Sequence, residues 1–372
     1  MKKILSLVLA TALLLCLFGC NDKPAETKDE TPVLKGKVAL FIGSQESDKE
    51  TFSKSVEFAK EYGNEIMILG YDPYESGQNG TMEKVALSTA DDPEVKAMIF
   101  SNGVDGTEDT VKQVREKRSD MFIMVCNPVE GVDEVSRYAD VVISLDFTEF
   151  GKSMVEASKS MGAENFVFYS FNRHIAYPAV RQLRTAVEEA CKESEMTFKL
   201  ATSVDAYEKS RDVETAKLYI TEDVTRKDNK FGKNTVLFST DSLVQSTLAT
   251  EVKEHGMMMV SSFLPSPLAV AEAFSVSLLE KPTDSAYVME ELKKNVADSA
   301  VSGRVATWGC SLPVLMIESC IDLALDIVED GEKEINAEGI SELLNTYSYG
   351  AKIAVKEAEC GAYLVTSDFI IL

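Results

Sequence analysis

The chain has 372 residues, with 61 acidic against 38 basic side chains and a formal net charge of −23. A surface this acidic repels phosphate backbones, which argues against DNA or RNA as a partner. The two histidines, His174 and His255, exclude a histidine-rich metal site, and no spacing among the seven cysteines resembles a zinc site or a disulfide framework.

The N-terminus reads as an export signal. Lys2 and Lys3 precede an apolar run, Ile4 to Phe18, that is too short to span a bilayer as a settled helix. Leu17-Phe18-Gly19-Cys20 then resembles a lipobox, with Phe18 bulkier than the usual occupant of its place. Cleavage before Cys20 would leave that cysteine to carry acyl chains and hold the protein on the outer side of a membrane. An uncleaved anchor or an ordinary cleaved signal is the alternative. Residues 21–36 are polar and proline-bearing, and cannot bury enough surface to offset their ordering entropy, so they read as a flexible tether. Five cysteines follow: Cys126, Cys191, Cys310, Cys320 and Cys360. They read as small buried residues, with one disulfide left open in an oxidising compartment.

From Lys37 onward, short apolar runs alternate with amphipathic helical stretches. Val38 to Ile42 predicts a strand buried on both faces, and Glu50 to Tyr62 predicts a helix with Phe52, Val56 and Ala59 on its apolar face. Further strands are predicted at Glu65–Leu69, Met98–Phe100, Met121–Val125 and Asp140–Leu145, each followed by polar or turn residues. The series then restarts, with strands at Phe166–Tyr169, Phe198–Ala201, Val236–Phe238 and Met257–Val260 between helices. A short strand at Val305–Thr307, a strongly apolar helix at Leu312–Glu329 and a last strand at Ala362–Thr366 complete it. Two βαβ series imply an α/β fold of two doubly wound parallel-sheet lobes joined by a hinge. The expected organisation is a signal over 1–20 and a tether over 21–36. The first lobe takes 37–148 with 302–330, and the second takes 149–301 with 331–372. Crossings are expected near Phe147, Ser302 and Gly331.

In open α/β sheets ligands bind beyond the carboxyl ends of the strands, and facing lobes bring those ends together. The candidate ligand-binding residues are therefore Ser44, Tyr71, Asn102, Asn127, Asp146, Arg173, His174, Asp241 and Trp308. Asp72, Ser101, Asn172, Asp205, Ser262 and Phe263 lie at equivalent positions. Arg173 offers a planar fork beside the histidine, Trp308 a ring for stacking, and Asp241 a carboxylate for ligand hydroxyls or amines. Helix capping by Ser, Asn and Asp, a surface ion pair for Arg173 and a core role for Trp308 are the alternatives. There is no Walker-type phosphate loop and no G-x-S-x-G elbow, and no cofactor is implied.

Asp146-Phe147, Phe150-Gly151, Met154 and Ala157 with Gly162 resemble the crossover between lobes in the type I periplasmic binding protein superfamily, shared by sugar receptors and repressor effector domains. Arg181 and Arg184 are similar to residues of its early second-lobe helix, and Val236 to Asp241 to a strand ending in a ligand-facing aspartate. More closely, Tyr169-Ser170-Phe171-Asn172-Arg173-His174 and Ser302 to Trp308 resemble a family of bacterial lipoproteins of unknown function, which carries proline in place of Asn172. The resemblance covers nearly the whole exported part and implies the fold without naming a ligand. The function it implies is a membrane-anchored solute receptor that delivers a small molecule to an ABC-type transporter permease. A sensor for a membrane receptor and a hydrolase or lyase using Arg173 and His174 are the alternatives. A sugar, a nucleoside or a cationic amine would each suit the aromatic and acidic strand ends.

Overall fold

The computed structural model describes residues 35–208, 213–331 and 335–372, which fold as one compact unit. The expected signal peptide, the lipidation site at Cys20 and nearly all of the tether lie outside the described residues. No helix among the described residues is long and apolar enough to cross a membrane.

Strands β1 (Lys37–Gly43), β2 (Ile66–Tyr71), β3 (Val95–Phe100), β4 (Phe122–Cys126) and β5 (Val141–Leu145) form the first sheet as expected. The second holds β6 (Asn165–Ser170), β7 (Thr197–Thr202), β8 (Thr235–Ser239), β9 (Met258–Val260) and β10 (Val305–Thr307). The central runs are continuous and apolar because helices cover both faces, whereas the edge strand β7 is mostly exposed. Val38 to Ile42 and Val141 to Leu145 are buried throughout. The C-terminal tail adds β11 (Ile353–Glu357), β12 (Tyr363–Ser367) and β13 (Ile370–Ile371). The first sheet has the order β11-β12-β5-β4-β3-β1-β2 and the second β13-β10-β9-β8-β6-β7. All neighbours are parallel except β11 with β12 and β10 with β13.

This topology corrects the expected share-out of the tail. Segment 302–310 is not part of the first lobe, because β10 pairs with β9. Segment 335–367 is not part of the second, because β12 pairs with β5 and carries β11 outward. The chain therefore crosses between the lobes at Asp146, across Trp308–Ser311 and at Asp368–Phe369, rather than near Ser302 and Gly331. The Leu312–Asp330 helix does lie on the first sheet, where its Met316 and Cys320 meet Asn127 and Cys126. Cys126 and Cys320 hold their sulfurs 3.4 Å apart as free thiols.

Local chemistry sets the helix ends. The Lys49–Tyr62 helix starts where the Asp48 side chain accepts from the Thr51 N–H at 3.3 Å. Its inward face is Thr51, Ser55 and Phe58, while Val56 is exposed, so the expected apolar face is rotated. In the second lobe the Phe147–Ser160 and Pro178–Glu193 helices pack closely over Gly151. A Cβ at Gly151 would sit 2.8 Å from the Ala186 Cβ and 3.2 Å from the Leu183 carbonyl oxygen. Helix propensity favours alanine over glycine by about 1 kcal/mol. The clash should nonetheless dominate, making Gly151→Ala less stable by about 1–3 kcal/mol. A lower urea midpoint at unchanged m-value checks this.

Candidate functional site

A cavity of about 730 Å³ opens between the lobes, lined by residues just past the carboxyl ends of strands from both sheets. On the first-lobe side stand Gly43, Asp48, Glu50, Tyr71, Asn102 and Asp105. Facing them are Arg173, His174, Tyr177, Tyr207, Thr240 and Phe263.

The first-lobe wall is acidic. Asp48 spends one oxygen on its helix cap, and burial holds its carboxyl above the usual range. Glu50 reaches across the cleft: its Oε2 accepts from Ser266 Oγ at 2.7 Å, just beyond β9, and from Ser311 Oγ at 2.5 Å. Burial pushes its pKa up to about 7, although both hydroxyls oppose that shift. Tyr71 donates its O–H to the Asn102 carbonyl at 2.6 Å, propping the loop after β3.

The second-lobe wall is aromatic. Arg173 clamps Asp205 with both arms of its fork, Nε to Oδ2 at 2.9 Å and Nη2 to Oδ1 at 3.1 Å, and donates Nη1 to Tyr177 Oη at 3.1 Å. Burial works against its charge, but these bonds more than offset that and hold its pKa above the ordinary value. The guanidinium carbon lies 5.2 Å from the Phe171 ring centre, 5.6 Å from Tyr74 and 5.7 Å from Tyr207; Tyr74 belongs to the first lobe. His174 stacks on Phe171 at 4.1 Å and holds Nδ1 3.2 Å from Thr240 Oγ1. Burial, helped by the Arg173 charge, pulls its pKa down to about 3, so the ring is neutral at ordinary pH.

Of the nine expected ligand residues, Tyr71, Asn102, Arg173 and His174 line the cavity, and so do Ser262 and Phe263 from the wider set. The others have structural occupations. Trp308 is a core residue, 1% exposed, its ring edge-on to Phe150 at 5.8 Å, so it offers no stacking face. Asp146 caps the Phe147–Ser160 helix through the Thr148 and Glu149 N–H groups and pairs with Lys356. Asn127 adopts φ 45° and accepts from the Leu145 N–H at 2.9 Å. Ser44 turns toward Ser47, 3.0 Å away between hydroxyls. Asp241 accepts from the Leu243 N–H at 2.9 Å behind the wall formed by Thr240 and Ser242. Sequence reasoning missed Asp48, Glu50, Tyr177 and Tyr207, which lie in loops and first helical turns beyond the strand ends; the acidic stretch Asp48-Lys49-Glu50 just after β1 was the available signal.

A family model described as "Protein of unknown function (DUF3798)" matches residues 37–306. An uncharacterized protein of Treponema pallidum (strain Nichols) is 26% identical over 217 residues, which is 58% of this chain and 98% of that protein. Among solved structures, a candidate transcriptional regulator from Clostridium difficile 630 superposes with a TM-score of 0.71 at 17% identity, covering 92% of this chain and 100% of that one. The substrate-binding protein of a sugar ABC transport system from Bordetella parapertussis 12822 gives 0.55 at 10% identity, covering 90% and 89% of the two chains. The arabinose-binding component from Shewanella sp. ANA-3, bound to α- and β-L-arabinofuranose, gives 0.55 at 14%, covering 90% and 91%. These structures share the fold, that of type I periplasmic binding proteins. The family model spans both lobes of that fold and most of the chain, and the chain belongs to the DUF3798 family of proteins of unknown function.

Proposed function

We propose that this protein is an extracytoplasmic solute receptor, anchored to the membrane through lipid on Cys20, that encloses a small ligand between its lobes and presents it to an ABC-type transporter. The observation that carries this reading is the cavity itself: strand ends of both lobes converge on one space of about 730 Å³, in the size range of small-molecule sites. A ligand touching Tyr71 and Asn102 on one side and His174 and Phe263 on the other gains its full contacts only when the lobes are closed, so it shifts the population toward that state. Arg173 and His174 serve recognition here. The arginine's fork is engaged by Asp205, and the neutral histidine adds a flat face to the wall.

The test is a thermal unfolding series on the full-length protein in detergent, against sugars, nucleosides, amino acids and amines. A ligand that binds only the folded state raises the melting temperature with the logarithm of its concentration once that exceeds Kd. A saturable rise, abolished by His174→Ala, is the expected result. Cooperative melting with no shift from any class would sink the receptor reading. Metabolic labelling with radioactive palmitate tests the anchor, and label retained after Cys20→Ala would refute it.

A further inference from the structure

Resting on the receptor reading, we propose that the ligand of this cleft is an organic cation, a protonated amine or quaternary ammonium carried on an apolar body. The charge inventory of the walls points there. Among the described residues, Asp48, Glu50 and Asp105 line the cavity as partly buried carboxylates, with Glu46 and Glu272 exposed at it, against two cations, Lys49 and Arg173. Lys49 is exposed, and Arg173 is already neutralised by the two-pronged bond to Asp205. A carboxylate or phosphate ligand would therefore meet excess negative charge, with no uncommitted buried cation among the described residues to receive it.

A neutral polyol is disfavoured for a different reason. It would offer Asp48 and Glu50 hydroxyl donors but no opposing charge, which favours their ionised forms less than a cation does. An ammonium group supplies that charge. Asp48 lines the same cavity as Tyr71 from one lobe and Tyr207 from the other. On the second lobe Asp241 adds a carboxylate that is 1% exposed, and its Oδ2 has no hydrogen-bond partner among the described residues.

The rings complete the case. His174 has Tyr177 at 5.7 Å and Tyr207 and Phe263 each at 6.3 Å between ring centres. Ring faces and carboxylates together are the usual surroundings of alkylammonium groups, and rings of this same wall already receive the Arg173 guanidinium. The lining also includes Leu264, Leu268, Val276, Leu278, Pro282 and Pro313, which suits a hydrocarbon or aromatic body. The acidic surface as a whole favours the approach of cations.

The experiment compares matched probes on the full-length protein in detergent. One set is phenethylamine, phenethyl alcohol and phenylacetate; the other is choline, spermidine and further quaternary ammonium compounds beside glucose, arabinose and myo-inositol. The expected result is a saturable rise in melting temperature for at least one cation, with binding by its uncharged counterpart about ten-fold weaker or worse. Asp48→Asn keeps the helix cap and should weaken cation binding by about ten-fold or more without lowering the melting temperature of the unliganded protein. A sugar or a carboxylate that shifts melting while no cation does overturns the cation assignment and leaves the receptor reading standing. A cation whose affinity is unchanged in both Asp48→Asn and Glu50→Gln also overturns it. No shift from any probe overturns the cation assignment, and no shift from nucleosides and amino acids as well overturns the receptor reading.

Discussion

Trp308→Ala is expected to cost about 3–5 kcal/mol of stability, the range for deleting a large buried aromatic side chain. The reason lies in where the three interlobe crossings meet. Phe150 follows the first crossing, Trp308 opens the second and Phe369 sits in the third. Trp308 meets Phe150 edge-on at 5.8 Å, and Phe150 stacks on Phe369 at 5.7 Å, so one aromatic cluster joins all three connections. A single continuous core runs from Val38 and Ile99 in the first lobe through this cluster to Phe166 and Phe238 in the second. Emptying the Trp308 site leaves a cavity at the point where the lobes are joined, with little freedom to collapse. Urea unfolding at equilibrium measures the loss. Trp308→Phe should recover more than half of it, since the indole N–H has no hydrogen-bond partner among the described residues to lose. A loss below about 1 kcal/mol for the alanine variant would show that the cluster does not bear on stability. Ligand affinity should change far less than stability, because Trp308 does not line the cleft.

Most of the fold was legible because its strands carry a signal that does not depend on partners. Val38-Ala39-Leu40-Phe41-Ile42 and Val236-Leu237-Phe238 are apolar without interruption because both their faces are covered. The tail was harder for the opposite reason. β11 is an edge strand whose Ala354, Lys356 and Glu357 are solvent-facing, and β13 is only two residues long. Neither has a pattern of its own, and their assignment is decided by pairing with β12 and β10. The site shows the same division. Some residues at strand ends line the cavity, but the position does not say whether a side chain points at the cleft or back at a helix terminus. Asp146 and Asp241 turned back to cap. Tyr71 and His174, with bulk that a helix terminus cannot use, faced the cleft.

Asp241→Asn is expected to stabilise the protein at alkaline pH and to leave it nearly unchanged at acid pH. The Asp241 carboxyl is 1% exposed; burial lifts its pKa to about 7, Asp205 pushes the same way and Arg173 opposes. A folded-state value above the unfolded one means that the native protein binds the proton more tightly. The stability this supplies is fully present below about pH 4 and is lost as pH rises through about 7. The gap corresponds to about 4 kcal/mol at most, so a gain of about 2–4 kcal/mol for the asparagine variant near pH 8 is the expected scale. Glu50 acts in the same direction, because its value is also raised to about 7. His174 acts in the other: its value is depressed to about 3, so its penalty appears as pH falls below about 6.5, where the imidazole would otherwise take up a proton. Urea titrations near pH 4 and pH 8 therefore separate the groups: at pH 8 the carboxylate penalty is fully developed and the His174 penalty absent, and near pH 4 the reverse holds. If Asp241→Asn shifts the midpoint equally at both, Asp241 is ionised throughout and the burial argument fails. If the gain is confined to the higher pH, the wild-type chain keeps an unpaired carboxylate beside its cleft at a standing cost in stability. Such a cost is expected where a side chain is retained for something other than the fold, and a cationic ligand beside Tyr207 would offset it on binding.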